Sequence, residues 1–364
     1  MSRPRRCWSA PTRLAWLLLA LQASISGYAW AETLFQAPLF KVGNGPTSIA
    51  TGDFNGDGRV DLAVANSQSN DISILIGHSD GTFAPDSRFP ALTTPSSIGV
   101  ADLNGDGKLD LVVANTSTDD VSVLLGNEDG TFGPQARFSV GDAPASLAIG
   151  DLNRDGFVDI VTANKGSGDI STLMGNGDGT FRGQIRTAVQ PRLFRVLLQD
   201  ITNDGILDLA VADEGNPDPS HFVPSGISVF IGGQDGSLGL WGRIVGAGST
   251  FTFGDFDRDG LLDLVIVGGS GSVRIYKGHG NSGFSFAKDL PGLTASFSAV
   301  AAADLDLDGN TDLALCGGAA GDVVIRMGNG DFTFRSPAFI RDGGSNPRDL
   351  IVGDLNGDGK KDLA

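Results

Sequence analysis

The sequence predicts an all-β fold, a seven-bladed β-propeller of four-stranded blades whose last blade is incomplete. Three observations predict it. One decapeptide recurs seven times, beginning at Asp53, Asp102, Asp151, Asp200, Asp255, Asp304 and Asp354. The successive spacings are 49, 49, 49, 55, 49 and 50 residues, a blade's length and too regular for chance. Between the copies lie short β-rich runs bounded by Gly, Asn and Asp, with no helical period after residue 31.

The first 31 residues stand apart. Arg3, Arg5, Arg6 and Arg13 precede the apolar run Leu14 to Leu21, and Ala29-Trp30-Ala31 forms a small-x-small cleavage signal before Glu32. That is the anatomy of a secretory signal peptide, with an apolar run too short for a stable membrane anchor. The expected mature domain is residues 32–364, exported to the extracellular space or periplasm, or held at the cell surface. No other segment is long and apolar enough to span a membrane. The chain's formal charge is −17, and the leader carries four arginines and no acid, so the remainder carries −21. This balance argues against nucleic acid or an anionic membrane as partner. Cys7 leaves with the leader and Cys316 remains alone, so no disulfide can staple the mature chain.

Each repeat reads as four strands joined by tight turns. The first precedes the decapeptide (Ser48 to Gly52), and its small residues suit the crowded centre of a ring. The second follows it (Leu62 to Asn66), the third alternates (Asp71 to Gly77), and the fourth starts at an aromatic after an Asp-Gly-Thr turn (Ser79 to Phe83). Near-continuous apolar strands fit sheets buried on both faces. Phe40 lies thirteen residues before Asp53, as Phe89 does before Asp102 and Phe138 before Asp151. Leu34 to Val42 is therefore expected to supply the outer strand of the last blade and close the ring. The sequence stops at the start of that blade's second strand, so it reads as a fragment with seven blades as the minimum and eight as the alternative.

The decapeptide, D-x-[DN]-x-D-G-x-x-D, sets oxygen side chains at positions 1, 3, 5 and 9 and offers a backbone carbonyl at position 7. Calcium takes six to eight oxygens in flexible geometry, and a glycine at position 6 permits the reversal that aims them at one point. The expected ligands are Asp53, Asn55, Asp57, Arg59 and Asp61 in loop 1 (residues 53–61), and Asp102, Asn104, Asp106, Lys108 and Asp110 in loop 2 (102–110). Loop 3 (151–159) offers Asp151, Asn153, Asp155, Phe157 and Asp159, and loop 4 (200–208) offers Asp200, Thr202, Asp204, Ile206 and Asp208. Loop 5 (255–263) offers Asp255, Asp257, Asp259, Leu261 and Asp263, and loop 6 (304–312) offers Asp304, Asp306, Asp308, Asn310 and Asp312. Loop 7 (354–362) offers Asp354, Asn356, Asp358, Lys360 and Asp362. Charge count ranks loops 5 and 6 as the tightest, with four carboxylates each, and loop 4 as the weakest because Thr202 stands at position 3. Asp/Asn/Gly runs also make plain turns; an aspartate at position 9 in every copy is what favours calcium over that reading. The loops hold 23 aspartates, so up to seven Ca2+ ions would offset much of the acidity and link folding to the metal.

The unit D-[LF]-N-G-D-G-[KR]-x-D-[LI], followed by V-S-V-L-L-G-N-x-D-G-T-F, resembles the FG-GAP/VCBS repeats of bacterial secreted proteins. Those are similar in turn to the repeats of the integrin α-subunit propeller. The resemblance covers nearly the whole chain after the leader. It implies a propeller with calcium in the hairpin loops of one face and a role in adhesion or recognition, and it leaves the partner open.

A partner is expected on the opposite face, where most loops between second and third strands are short. One is not. Asp213 to Gly226 accounts for the 55-residue spacing and offers Asp213, Glu214, Asp218, His221 and Phe222 as candidate contacts. A tolerated insertion is the simpler explanation of it. Cys316 takes the place of Ala65 as a small core residue, and Trp241 is expected between blades. The three histidines fall on different repeats, and no nucleophile elbow, zinc helix or phosphate loop is present. The expected function is a calcium-stabilised module recognising a protein or surface glycan, not an enzyme. An exported propeller enzyme acting on polysaccharide and a purely structural segment of a larger surface protein are the alternatives.

Overall fold

The computed structural model describes residues 39–364 apart from 92, 221, 247, 249, 269, 270, 292, 294, 295, 319, 320 and 342–345. The leader, residues 34–38 and His221 therefore lie outside the described residues. Among those described, the only helical element is a three-residue turn, Gly280–Ser282, and no helix is long and apolar enough to cross a membrane.

Blade 1 is an antiparallel meander of β1 (Pro46–Gly52), β2 (Asp61–Asn66), β3 (Asp71–Leu75) and β4 (Ser87–Pro90). Five further four-stranded sheets with the same order span residues 95–139, 144–188, 193–245, 250–290 and 297–341. These are blades 2 to 6. The seventh decapeptide joins two short strands, Val352–Gly353 and Asp362–Leu363, which pair only with each other. The expected seven blades are thus corrected to six blades and a hairpin. Residues 39–45 form no strand, and among the described residues no third or fourth strand pairs with this hairpin.

Burial explains the sheet order. Every residue of β2 is buried, as is every residue of the second strand in each of the other five blades. A second strand is flanked by neighbours within its sheet and by the next sheets on both faces, so it tolerates no exposed polar side chain. The apolar clusters accordingly lie between blades. Ile72 and Ile74 pack with Leu111 and Val113, and Val265 and Ile275 pack with Leu313 and Leu315. The outer strands of blades 1 to 3 are four residues long, mostly exposed and Arg-bearing, which blunts their edges.

The hairpin closes the ring. Leu350, Val352 and Leu363 pack on blade 6, and Ile351 and Leu355 pack on blade 1. At the ring centre, each of Ser48, Ser97 and Ser146 accepts the N–H of the next blade's first strand, from Ile98 (3.4 Å), Leu147 (3.2 Å) and Val196 (3.3 Å). Asp349 of the hairpin does the same for Ile49 N (3.2 Å) and also accepts from Ser48 Oγ (3.0 Å). Phe40 keeps its predicted register without forming a strand. Its ring meets Phe83 edge-on at 5.1 Å, as Phe138 meets Phe181 at 5.1 Å.

Candidate metal loops on one face of the ring

Each decapeptide joins a first strand to a second, on the face that also carries the turns between third and fourth strands. Two backbone positions demand the left-handed region. Position 6 is always glycine, with φ of 80° at Gly58 and 82° at Gly107. Position 4 is left-handed too, whether occupied by Gly105 (φ 73°), Arg154 (58°), Asn203 (59°), Arg258 (64°) or Leu307 (61°).

The carboxylates tie the loop to its own backbone. Asp53 Oδ1 and Oδ2 accept from Asp57 N (3.1 Å) and Gly58 N (2.7 Å), Asn55 Oδ1 accepts from Asp57 N (3.0 Å), and Asp57 Oδ1 accepts from Arg59 N (2.9 Å). The position-9 aspartate is the deepest. Asp61 is fully buried, its Oδ2 accepting from Phe54 N (2.8 Å) and its Oδ1 from Gly77 N (2.7 Å). The same two bonds recur at Asp110, Asp159, Asp208, Asp263 and Asp312. Gly77 can approach so closely only because it lacks a side chain: a Cβ there would lie 2.1 Å from Val60 O. At Gly126, Gly175, Gly232, Gly278 and Gly328 the corresponding contact would be 2.0 to 2.4 Å. These glycines were missed as structural residues in the sequence, although their fixed place after the third strand marks them. Their role also corrects an argument made from sequence: position 9 needs aspartate to pair two buried N–H groups, so its recurrence is not by itself a metal signature.

Loops 5 and 6 add convergence. One carboxylate oxygen from each of Asp255, Asp257 and Asp263 lies within 4.8 Å of the others, and Asp304, Asp306 and Asp312 repeat this. Two oxygens bound to one calcium at about 2.4 Å lie at most about 4.8 Å apart, so both sets fit that ion's donor chemistry and size. Burial, then the neighbouring carboxylates, push Asp263 and Asp312 up to about 6 against two opposing N–H bonds each. In loop 4, Thr202 is buried and its hydroxyl has no hydrogen-bond partner.

Cations stand beside several loops. Arg59 pairs with Asp57 (2.6 Å), while Lys108 and Arg182 lie 3.8 Å from Asp106 and Asp155. In loop 5, Lys277 Nζ contacts both Asp257 and Asp259 (2.6 Å to the latter). In loop 6, Arg335 spans Asp306 and Asp308, at 3.1 Å each. Neither cation was singled out in the sequence, because each lies well beyond its decapeptide. Two position-4 arginines reach the next loop: Arg154 donates to Gly205 O, and Arg258 Nε to Gly309 O (3.1 Å).

The long connection of blade 4 divides its predicted contacts. Asp213 is fully buried and bonded by Arg243, which removes it from the surface and corrects its expected role. It sits five residues after its position-9 aspartate, where Asn66, Asn115 and Asn164 stand in other blades, a register visible in the sequence. Glu214 is engaged by Lys165 (2.7 Å) and Arg192 (2.5 Å), and Asp218 accepts from Ser220 N (2.9 Å). Phe222 is 68% exposed. Elsewhere, Trp241 meets Phe284 of the next blade edge-on at 6.2 Å, and Cys316 is buried.

No curated protein matches the chain. Solved structures share its fold at low identity. BBS1N in complex with ARL6DN, soaked with lead, superposes with a TM-score of 0.60 at 15% identity, covering 88% of this chain and 90% of that one. A mercury-soaked form of that complex gives 0.60 at 16%, covering 91% and 96%. An Agrocybe aegerita lectin specific for non-reducing terminal N-acetylglucosamine gives 0.54 at 16%, covering 87% and 85%. The FG-GAP-like repeat model matches at residues 53–113, 102–162, 151–211, 200–266, 255–315 and 304–364, each match running from one aspartate loop through the next. With six such matches covering the ring from loop 1 to the hairpin, the chain belongs to the FG-GAP-like repeat family.

Proposed function

We propose that this protein is an exported, calcium-stabilised recognition propeller whose metal loops brace one face while the other meets a protein or surface glycan. The observation that carries the metal half is the convergence of three carboxylates, within 4.8 Å, in each of two loops. Calcium there would be held by Asp255, Asp257 and Asp263 and by Asp304, Asp306 and Asp312, and would neutralise carboxylates that burial and mutual repulsion disfavour. The recognition half rests on the blade 4 connection. Lys165 and Arg192 anchor its base through Glu214, and Phe222 projects from it with 68% exposure. An exposed aromatic on an anchored loop is a common element of binding surfaces. The solved neighbours contribute the fold alone, though those cited are binding proteins.

Thermal unfolding with millimolar calcium and with chelator tests the first half. The midpoint should rise by several degrees with calcium; an unchanged midpoint sinks the calcium reading. A glycan array probed with the calcium-loaded protein and with Phe222→Ala tests the second. Signal lost in the variant supports the site, and signal retained removes it.

A further inference from the structure

The two loops richest in carboxylate are also the two in which a cation spans positions 3 and 5. Lys277 lies at the end of the third strand of blade 5, where blade 1 has Ile76, and its ammonium contacts both Asp257 and Asp259. It also sits 5.6 Å above the ring of Phe332, from the next blade, which helps to hold it in place. Arg335 follows the aromatic of the next turn, where blade 1 has Ala84, and its two terminal nitrogens bond Asp306 and Asp308 separately. Lys277 comes from a third strand and Arg335 from the segment before a fourth, yet they meet the same pair of loop positions. Elsewhere among the described loops the contact falls on position 5 alone, and position 3 is Asn or Thr.

Asp257 and Asp306 belong to the converging carboxylates, so the tethered cation and a divalent ion draw on the same side chains. We propose that Lys277 and Arg335 are built-in competitors for the metal in loops 5 and 6, holding those loops together when calcium is scarce and weakening its binding there. Each cation must leave the position-3 carboxylate before a metal can use it fully. Once it is counted, the fourth carboxylate of each of these two loops is offset by its own cation. On this reading the fourth carboxylate gives loops 5 and 6 no advantage in binding the metal. This inference rests on the calcium reading of the loops.

The test is calorimetric calcium titration of the whole chain, with Lys277→Ile, Arg335→Ala and the double variant beside wild type. These substitutions install the residues blade 1 carries at the same places, so each variant is expected to fold. Removing one unit charge about 3 Å from the ligands should tighten one site per substitution by about tenfold. In chelator the same variants should melt below wild type, and calcium should close that difference. Wild type binding calcium with all variants titrating identically overturns this inference and leaves the calcium reading standing. Wild type and variants all failing to bind overturns both. Should Lys277→Ile misfold, Asp257→Asn, which installs loop 1's residue, replaces it; unchanged affinity there supports the competition, and a tenfold loss shows that Asp257 serves the metal unhindered.

Discussion

Loop 2 and loop 6 share one backbone and three aspartates and differ in the charge set around them. In both, the position-1 aspartate caps the N–H of the position-6 glycine (2.9 and 2.8 Å), and the buried position-9 aspartate pins the same two N–H groups. Around that frame, loop 2 has Asn104, Gly105 and a lysine 3.8 Å from Asp106, whereas loop 6 has Asp306, Leu307 and an arginine bonded to two carboxylates. The difference teaches that the aspartate loop has two separable layers. Its frame is a requirement of the blade. Its charge is adjusted loop by loop.

Breaking the frame should cost most and should cost both loops. Asp110→Ala leaves Leu103 N and Gly126 N unpaired in a dry interior, for an expected loss of about 3–5 kcal/mol by denaturant unfolding. Asp312→Ala should lose less, because burial and neighbouring carboxylates, which raise Asp110 as well, push Asp312 further, up to about 6. Equal losses at the two sites would show that charge contributes nothing to the frame. Gly126→Ala comes next, at about 2–4 kcal/mol, since its Cβ would press on Leu109 O at 2.2 Å. A neutral result would mean that this turn yields where the packing suggests it cannot.

These costs bear on how far the molecule was legible in its sequence. The repeat, the four strands and their order are all explicit in the period, because each blade must bury the same faces against the same neighbours. The seventh blade was overcounted because the decapeptide marks only the junction of a first and a second strand. It says nothing about whether a third follows. The ligand set was legible as a pattern, but the position-9 aspartate was credited to metal alone, because its bond to Gly77 N spans sixteen residues and no local pattern reveals it. Lys277, Arg335 and the buried pairing of Asp213 with Arg243 were hidden for the same reason: each partner lies on another segment, far along the chain.

Changing charge without touching the frame sharpens the comparison at smaller scale. Asn104→Asp gives loop 2 the four carboxylates of loop 6 without a cation across positions 3 and 5. In chelator it should destabilise by about 0.5–1 kcal/mol, small because the loop is largely solvated. In calcium the sign should reverse. A variant that is neutral under both conditions would show that loop 2 holds no metal.

The smallest effect isolates the backbone from both layers. Leu307 occupies position 4 at φ 61° with 57% of its surface exposed, so it carries the strain of a left-handed residue and buries little in return. Leu307→Gly should therefore stabilise by about 0.5–1 kcal/mol, the strain released exceeding the entropy that glycine adds to the unfolded chain. Arg258→Gly relieves the same strain at φ 64° but breaks the bonds to Gly309 O in the next loop, so it should be near neutral. The two substitutions reach the same residue type at the same place in adjacent loops. The difference between their unfolding free energies thus reads the value of the strap between loops 5 and 6. If Arg258→Gly stabilises as much as Leu307→Gly, the strap contributes nothing, and each loop stands on its own frame.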